Sequence, residues 1–189
     1  CRNYKNVRSR LMGIPTLIST STASDTASVA ITSGIDGTYD EYMFVMTDIF
    51  PASGGNDFQF IASVNGGSSY GVATTTTAFR AIHGEDGSGG ALTYRTGRDA
   101  AQSTGNIHLT MGVGGGADEG AAGIFHLFSP ASTTYVKHFY SRIQIYGGDD
   151  QAIDYNVAGY VNSTSAVDAI KFLFGSGNIS GVIQLYGIA

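Results

Sequence analysis

The stretch GIFHLFSPASTTYVKHFYSRIQIY, residues 123–146, indicates the fold class of this chain. Its two halves, 123–128 and 135–146, are rich in aromatic and β-branched residues, and turn-forming residues around Pro130 separate them. Aromatic and β-branched side chains fit the pleated surface of a strand, whereas proline interrupts the hydrogen-bond ladder. The stretch therefore predicts two β-strands joined by a turn.

Eight similar runs occur on either side of this stretch. They are residues 28–32, 42–49, 58–64, 78–82, 106–111, 156–161, 170–174 and 181–186. No window of a dozen residues keeps the helical period of about 3.6 residues. Ten short strands without helices to cover a parallel sheet predict an all-β protein, an antiparallel β-sandwich of the jelly-roll type.

Glycine and asparagine mark the predicted turns. The pair Asn65-Gly66 follows the run 58–64 and predicts a two-residue hairpin, because both central residues of a type I′ turn need positive φ. The Gly-rich stretches 84–90 and 112–123 are expected to be long loops at the ends of the sandwich, where binding sites are common.

The charges are distributed unevenly along the chain. Four of the ten basic residues lie within the first ten positions, and all fifteen acidic residues lie at Asp25 or later. A block of like charge without a structural period stays solvated or docks on a surface of opposite sign. We therefore expect an anchoring arm in which apolar side chains assist the charges. Its residues are Arg2, Lys5, Arg8, Arg10, Leu11, Met12 and Ile14.

The composition divides the chain into residues 1–27, a basic arm with a Ser/Thr-rich extended connector, and residues 28–189, a single sandwich domain. From Asp25 onward the chain carries six basic and fifteen acidic residues, a formal charge of −9, which argues against a nucleic-acid partner. No apolar stretch approaches the roughly 18 residues that a membrane span needs, so no membrane association is expected. A single cysteine, Cys1, excludes an internal disulfide.

None of the catalytic patterns in the sequence has the context that its chemistry requires. Residues 67–71 match G-x-S-x-G around Ser69, but a β-branched run follows where a nucleophile elbow needs a helix. The histidines lack zinc spacing, and His108 and His126 are expected to be half-buried strand residues with hydrogen-bond partners. We therefore expect no enzymatic activity, no metal and no cofactor. Calcium bound by the acidic Gly-flanked loops is an open alternative.

Several tyrosines near predicted loops are candidates for stacking on sugar rings. The candidate glycan-binding residues are Tyr39, Tyr70, Tyr94 and Tyr155. Core or interface packing is the alternative role for each of them.

Three segments carry a resemblance to a known class of proteins. They are TSGIDGTYDEY at 32–42, NGGSSY at 65–70, and SGNISG at 176–181 with LYGI at 185–188. Together they resemble structural and fibre-like proteins of tailed bacteriophages, which include head decoration, cement and fibre proteins with a jelly-roll body. The resemblance covers residues from about 28 to the end. It implies a homotrimeric virion surface protein, and it transfers no binding residues.

Three functional classes remain. The first is a non-enzymatic virion structural protein that trimerises with itself and binds a capsid or tail protein through its arm. The second is a receptor-binding module whose end loops recognise a host-surface glycan. The third is a glycan-degrading spike enzyme, which needs a carboxylate pair in a groove.

Overall fold

The structure is a computed structural model and describes residues 13–189. This part of the chain forms thirteen β-strands and contains no helix. The strands are β1 (Thr16–Thr26), β2 (Val29–Ile31), β3 (Glu41–Pro51), β4 (Phe58–Ser63), β5 (Thr74–Gly84), β6 (Ala91–Tyr94), β7 (Ala100–Ser103), β8 (Ile107–His108), β9 (Ala121–Phe128), β10 (Lys137–Gly147), β11 (Gln151–Val161), β12 (Ala169–Phe174) and β13 (Ile179–Ile188). Each of the ten predicted runs overlaps a strand, so the all-β prediction is confirmed.

The strands form two antiparallel sheets. The large sheet has nine strands in the order β1-β13-β3-β9-β10-β11-β5-β6, with β7 also paired to β5. The small sheet has four strands in the order β2-β12-β4-β8.

The two sheets pack face to face through an aromatic core. Phe125 of the large sheet lies 4.9 Å, centroid to centroid, from Phe60 of the small sheet, and Phe44 lies 5.5 Å from Phe172 in the same way. All four side chains are fully buried. Edge-on and tilted ring pairs at these separations add attraction beyond the burial of apolar area. This arrangement is consistent with the predicted β-sandwich.

Strand β10 shows how the sequence pattern orients the large sheet. Phe139, Ile143 and Ile145 are buried, whereas the intervening His138 and Tyr140 are exposed. Side chains of a strand alternate between its two faces, so one face of the large sheet forms the core and the other faces solvent.

The segment predicted as an extended connector contains strand β1. It pairs with β13 at the edge of the large sheet, from Thr16 opposite Gly187 to Thr26 opposite Ile179. Only Ala23 of its eleven residues is buried. An edge strand of Ser and Thr buries little apolar surface, and β1 therefore lacks the alternating pattern by which the other strands were predicted. The connector prediction is wrong for residues 16–26.

The turn at Asn65-Gly66 connects the two sheets and does not form a hairpin. β4, before it, belongs to the small sheet, whereas β5, after it, belongs to the large one. The positive φ angles fall on Gly66 (68°) and Gly67 (78°), one position later than a type I′ turn requires. The hairpin prediction is therefore wrong, although the position of the turn is right.

Candidate functional site

The four tyrosines predicted as glycan contacts do not share a surface. Tyr39, ahead of β3, packs edge-on against Tyr42 at 5.8 Å, and Lys171 Nζ lies 4.1 Å from the ring centroid of Tyr70. Tyr94, at the end of β6, is 52% exposed and donates a hydrogen bond to Asp99 (2.7 Å). Tyr155 is fully buried in β11, so its ring offers no face to a sugar. The prediction for Tyr155 is wrong because its position in the strand points it into the core.

Tyr155 lies instead beside three arginines, Arg80, Arg95 and Arg98, which we call the arginine cluster. Arg80 of β5 stands directly opposite Tyr155 in the strand register. The backbone N–H of Arg95 donates to the carbonyl of Ala78 (2.8 Å), which places Arg95 beside the same strand. The charges of all three arginines act on the Tyr155 hydroxyl. Residues distant in sequence thus meet between β5, β11 and the segment after β6.

Asp57 is the carboxylate that pairs with the arginine cluster. Its Oδ2 lies 2.8 Å from Arg98 Nε and 3.2 Å from His108 Nδ1, and its Oδ1 accepts the backbone N–H of Gly112 (2.9 Å). Burial acts to raise the pKa of Asp57, but the hydrogen bonds from His108 and Gly112 and the charge of Arg98 outweigh it and lower the pKa. The expectation that His108 is a half-buried strand residue with a partner is confirmed.

Burial dominates the ionisation of Tyr155. It raises the pKa of the phenol to about 12, although the neighbouring arginines act in the opposite direction. The hydroxyl has no hydrogen-bond partner in the structure. Tyr155 is therefore a neutral, unpaired donor held inside a group of cations.

We expect Tyr155→Phe to reduce the loss of stability at alkaline pH. The folded pKa is about 12 and the ordinary value is 10.0, so the unfolded chain releases this proton first. Stability from Tyr155 is fully present below the unfolded pKa and is lost as pH rises from 10 through 12. The phenylalanine variant lacks this loss. Urea midpoints measured from neutral pH to pH 11.5 should therefore increasingly favour the variant at the alkaline end, by roughly 1 kcal/mol or more.

At neutral pH the same substitution is expected to change the free energy of unfolding by less than about 1 kcal/mol, because it removes an unpaired hydroxyl. Tyr135→Phe, at an exposed side chain, is the control. Parallel pH profiles for the wild type and Tyr155→Phe would contradict the assignment of a buried, protonated phenol.

A second concentration of ionisable groups lies at one end of the sandwich, which we call the acidic end. The two predicted Gly-rich loops meet there with the β10–β11 turn, since the N–H of Glu85 donates to the carbonyl of Asp150 (2.9 Å). A cleft of about 580 Å³ opens beside them. Its lining includes Asp48, Glu85, Asp118, Glu119, Phe50 and Tyr146. This is a groove with carboxylates, which the enzymatic alternative requires, and it lies among the end loops to which the glycan-binding alternative assigns its ligand.

The acidic end is strongly negative. Burial, followed by the charges of Glu85, Asp150 and Asp118, raises the pKa of Tyr146 to about 12. Within residues 13–189, no three His, Cys, Asp or Glu side chains are arranged to hold a metal ion. The calcium alternative thus gains no geometric support from the described loops.

The G-x-S-x-G match forms a polar turn. Ser69 Oγ accepts a hydrogen bond from Asn65 Nδ2 (2.8 Å), and the N–H of Ser69 donates to Asn65 Oδ1 (3.0 Å). Strand β5 follows the turn, where a nucleophile elbow needs a helix. Ser69 therefore has a structural role in the loop that connects the two sheets.

The solvent face of the large sheet carries a group of rings, which we call the outer strip. His126 stacks on Tyr140 at 4.6 Å, Phe128 lies 5.8 Å from Tyr140, and His138 lies 6.3 Å from Tyr160, all between ring centroids. His126 Nδ1 also lies 2.5 Å from Glu41 Oε1, which confirms the expectation of a half-buried histidine with a partner. Two grooves are lined in part by these rings.

Charges on this face are paired. Arg142 Nε and Nη2 both donate to the carboxylate of Asp154, at 3.0 and 2.9 Å. A bidentate pair of this kind neutralises itself within one molecule. The outer strip can therefore be covered without leaving these two charges unpartnered.

The predicted anchoring arm falls almost entirely beyond the described part of the chain. Arg2, Lys5, Arg8, Arg10, Leu11 and Met12 lie outside residues 13–189. Ile14 lies inside them and is 84% exposed, just before β1 begins at Thr16.

Comparison with known proteins adds no relative. No protein-family model matches the chain, and no curated protein matches it at a significant level. Residues 13–189 contain no helix long and apolar enough to cross a membrane.

The arginine cluster was not predicted from the sequence. A signal was available, because three of the six basic residues after position 12 lie within residues 80–98 of an otherwise acidic domain. The strand register that places Arg80 against Tyr155 was not readable from the sequence.

Proposed function

We propose that this chain is a non-enzymatic structural protein of a tailed-bacteriophage particle. In this proposal its jelly-roll body is displayed as a homotrimer on the virion surface, as a capsid decoration or cement protein or as a fibre. The N-terminal arm anchors it to a capsid or tail protein. The observation that carries the proposal is the low-charge aromatic strip on a large antiparallel sheet, together with the resemblance of residues 28–189 to such proteins.

The strand order supports a jelly roll. If β5–β7 and β10–β11 are treated as insertions, eight strands remain. We number these eight strands 1 to 8 along the chain. Their spatial order is then 1-8-3-6 in the large sheet and 2-7-4-5 in the small sheet. Two sheets interleaved in this way correspond to paired Greek keys, the arrangement that defines the double-sheet jelly roll. Strand β1 then serves as the first strand of the roll.

The outer strip supports self-association. Tyr140 is 44% exposed and Ile124 is 37% exposed on this face, beside a self-neutralised ion pair. Aromatic residues are enriched and unpaired charges depleted at the centres of subunit interfaces. A second copy of the chain, repeated around a three-fold axis, can cover the strip with little desolvation of charge.

The arm is tested by deleting residues 1–12. Because β1 begins at Thr16, the deletion leaves every strand of residues 13–189 intact, and the body should remain folded and soluble. The body should no longer bind phage particles that lack the protein, as measured by co-sedimentation with purified particles. Exposed ion pairs contribute only about 0.2 to 1 kcal/mol each, so Arg8→Ala with Arg10→Ala should weaken binding mainly at raised salt.

The control is Thr22→Ala, an exposed position on β1 that leaves the arm unchanged. Full particle occupancy by the truncated body would show that attachment lies on the sandwich. Binding of the intact protein to host cells, with none to particles, would instead favour the alternative below.

The alternative function is recognition of a host-surface glycan at the acidic end. The cleft there combines the aromatic rings of Phe50 and Tyr146 with hydrogen-bonding carboxylates. Sugar sites commonly combine ring stacking with polar side chains. The same groove would serve the less favoured glycan-degrading enzyme, for which no carboxylate pair is singled out.

A further inference from the structure

The arginine cluster is short of hydrogen-bond acceptors. Four buried donors there have no hydrogen-bond partner: Nε of Arg80, Nε of Arg95, Nε of Arg98 and the hydroxyl of Tyr155. Arg98 Nε is close to Asp57, but the pair lacks the alignment of a hydrogen bond. The large majority of buried polar groups in native proteins have a partner, so three donors in one place with neither a hydrogen bond nor an ion pair, those of Arg80, Arg95 and Tyr155, are unusual.

Charge is unbalanced at the same place. Asp57 is already engaged by Arg98, His108 and the N–H of Gly112, and nearby Asp99 accepts from Tyr94. Arg80 and Arg95 have no carboxylate partner within residues 13–189. Burial, followed by the adjacent charge of Arg95, lowers the pKa of Arg80.

Each of the other lysines and arginines of the described part has an interaction partner. Lys137 Nζ donates to the carbonyls of Tyr135 and Ser163, Arg142 pairs with Asp154, and Lys171 lies over the ring of Tyr70. The deficit of acceptors is therefore specific to the arginine cluster and is not a general property of basic residues in this chain.

We propose that the arginine cluster is a binding site for a compact oxyanion, a sulfate, phosphate or carboxylate group, which supplies the acceptors and the negative charge that Arg80 and Arg95 lack. Both arginines are half-buried, so part of each residue is open to solvent although its Nε is buried. A planar guanidinium presents paired donors that match the oxygens of such groups. The site is separate from the acidic end and from the outer strip, and it does not depend on the proposed function.

The test is thermal unfolding of the full chain titrated with inorganic sulfate at constant ionic strength. We expect the wild-type Tm to rise along a saturating curve, by about 5 °C or more when sulfate exceeds the Kd about 100-fold. Arg80→Gln and Arg95→Gln should each abolish the saturating component. Arg142→Gln is the matched control, because its arginine lies on the outer face with its own carboxylate, and it should retain the full rise.

Sulfate also stabilises proteins without binding, but that effect grows without saturation and is shared by all variants. The same Tm response in the wild type and in Arg80→Gln would overturn the proposal and indicate that water satisfies the donors. If both glutamine variants fail to fold, the proposed site is tested in the wild type by NMR of the arginine Nε–H signals during a sulfate titration. Saturable shifts at millimolar sulfate support the site, and unchanged signals overturn it.

A second titration distinguishes the sources of the anion. A sulfated monosaccharide that binds at least as tightly as free sulfate identifies the ligand as an ester group on a larger molecule. Binding of free sulfate alone identifies an inorganic ion. The uncharged monosaccharide should leave the Tm unchanged in either case.

Discussion

Phe125→Ala is expected to destabilise the fold by about 3 to 5 kcal/mol, the largest effect of any single substitution considered for this chain. Phe125 is fully buried, and its ring lies within 4.9 to 6.1 Å, centroid to centroid, of Phe60, Phe139, Phe44 and Phe172. Truncation removes contacts to both sheets at once and leaves a cavity that the rigid strands cannot close. Chemical denaturation, followed by far-UV circular dichroism, measures the loss.

Domains of this size have a total stability of about 5 to 15 kcal/mol, so the alanine variant is expected to be near the limit of folding. Phe125→Leu provides a milder variant with a smaller loss. Phe50→Ala is the matched control, since Phe50 is 41% exposed at the acidic end, and it should cost less than about 1 kcal/mol. Equal losses for Phe125→Ala and Phe50→Ala would contradict a single aromatic core shared by both sheets.

Tyr140→Asp is expected to convert the proposed trimer to a monomer at micromolar concentration. Tyr140 lies at the centre of the outer strip, stacked on His126 and near Phe128. A carboxylate at this position would have to be desolvated in the subunit interface, which costs several kcal/mol when no partner is supplied. Light scattering coupled to size-exclusion chromatography measures the change in mass.

Ala30→Asp is the control for this substitution. It introduces the same charge at an exposed position of β2 in the small sheet, away from the outer strip, and the trimer should persist. A wild-type chain that is monomeric at micromolar concentration would contradict self-association through the strip. A trimer that survives Tyr140→Asp would place the interface elsewhere on the body.

The strands with strong patterns were predictable because their signal is local. In β10, alternation of apolar and polar side chains specifies both the strand and the face that enters the core. Strands β1, β6 and β7 were missed, and among all their residues only Ala23 of β1 is buried. These strands form by backbone hydrogen bonding, β1 to β13 and β6 and β7 to β5. Backbone pairing requires no particular side-chain pattern, so the sequence does not reveal it.

The candidate sites were predictable only in part. The Gly-rich loops around Glu85 and Asp118 were expected at the ends of the sandwich, but their meeting at one cleft was not. The tyrosines were chosen by nearness to loops, a criterion that ranked Tyr155 with Tyr94. The burial of Tyr155 is determined by its position in the alternation of β11, because a shift of one residue along the strand exchanges the buried and the exposed face.

The sequence by itself determined that this chain forms an antiparallel all-β body with an uneven charge distribution, since periodicity, turn residues and composition are properties of short segments. The tertiary structure decided which strands pair, that Asn65 joins two sheets, and that Arg80, Arg95 and Arg98 gather around Tyr155. These outcomes depend on contacts between residues far apart in sequence. Such contacts are selected by the packing of the whole core, because the free energy of a strand pair includes the burial of both partners against the opposite sheet.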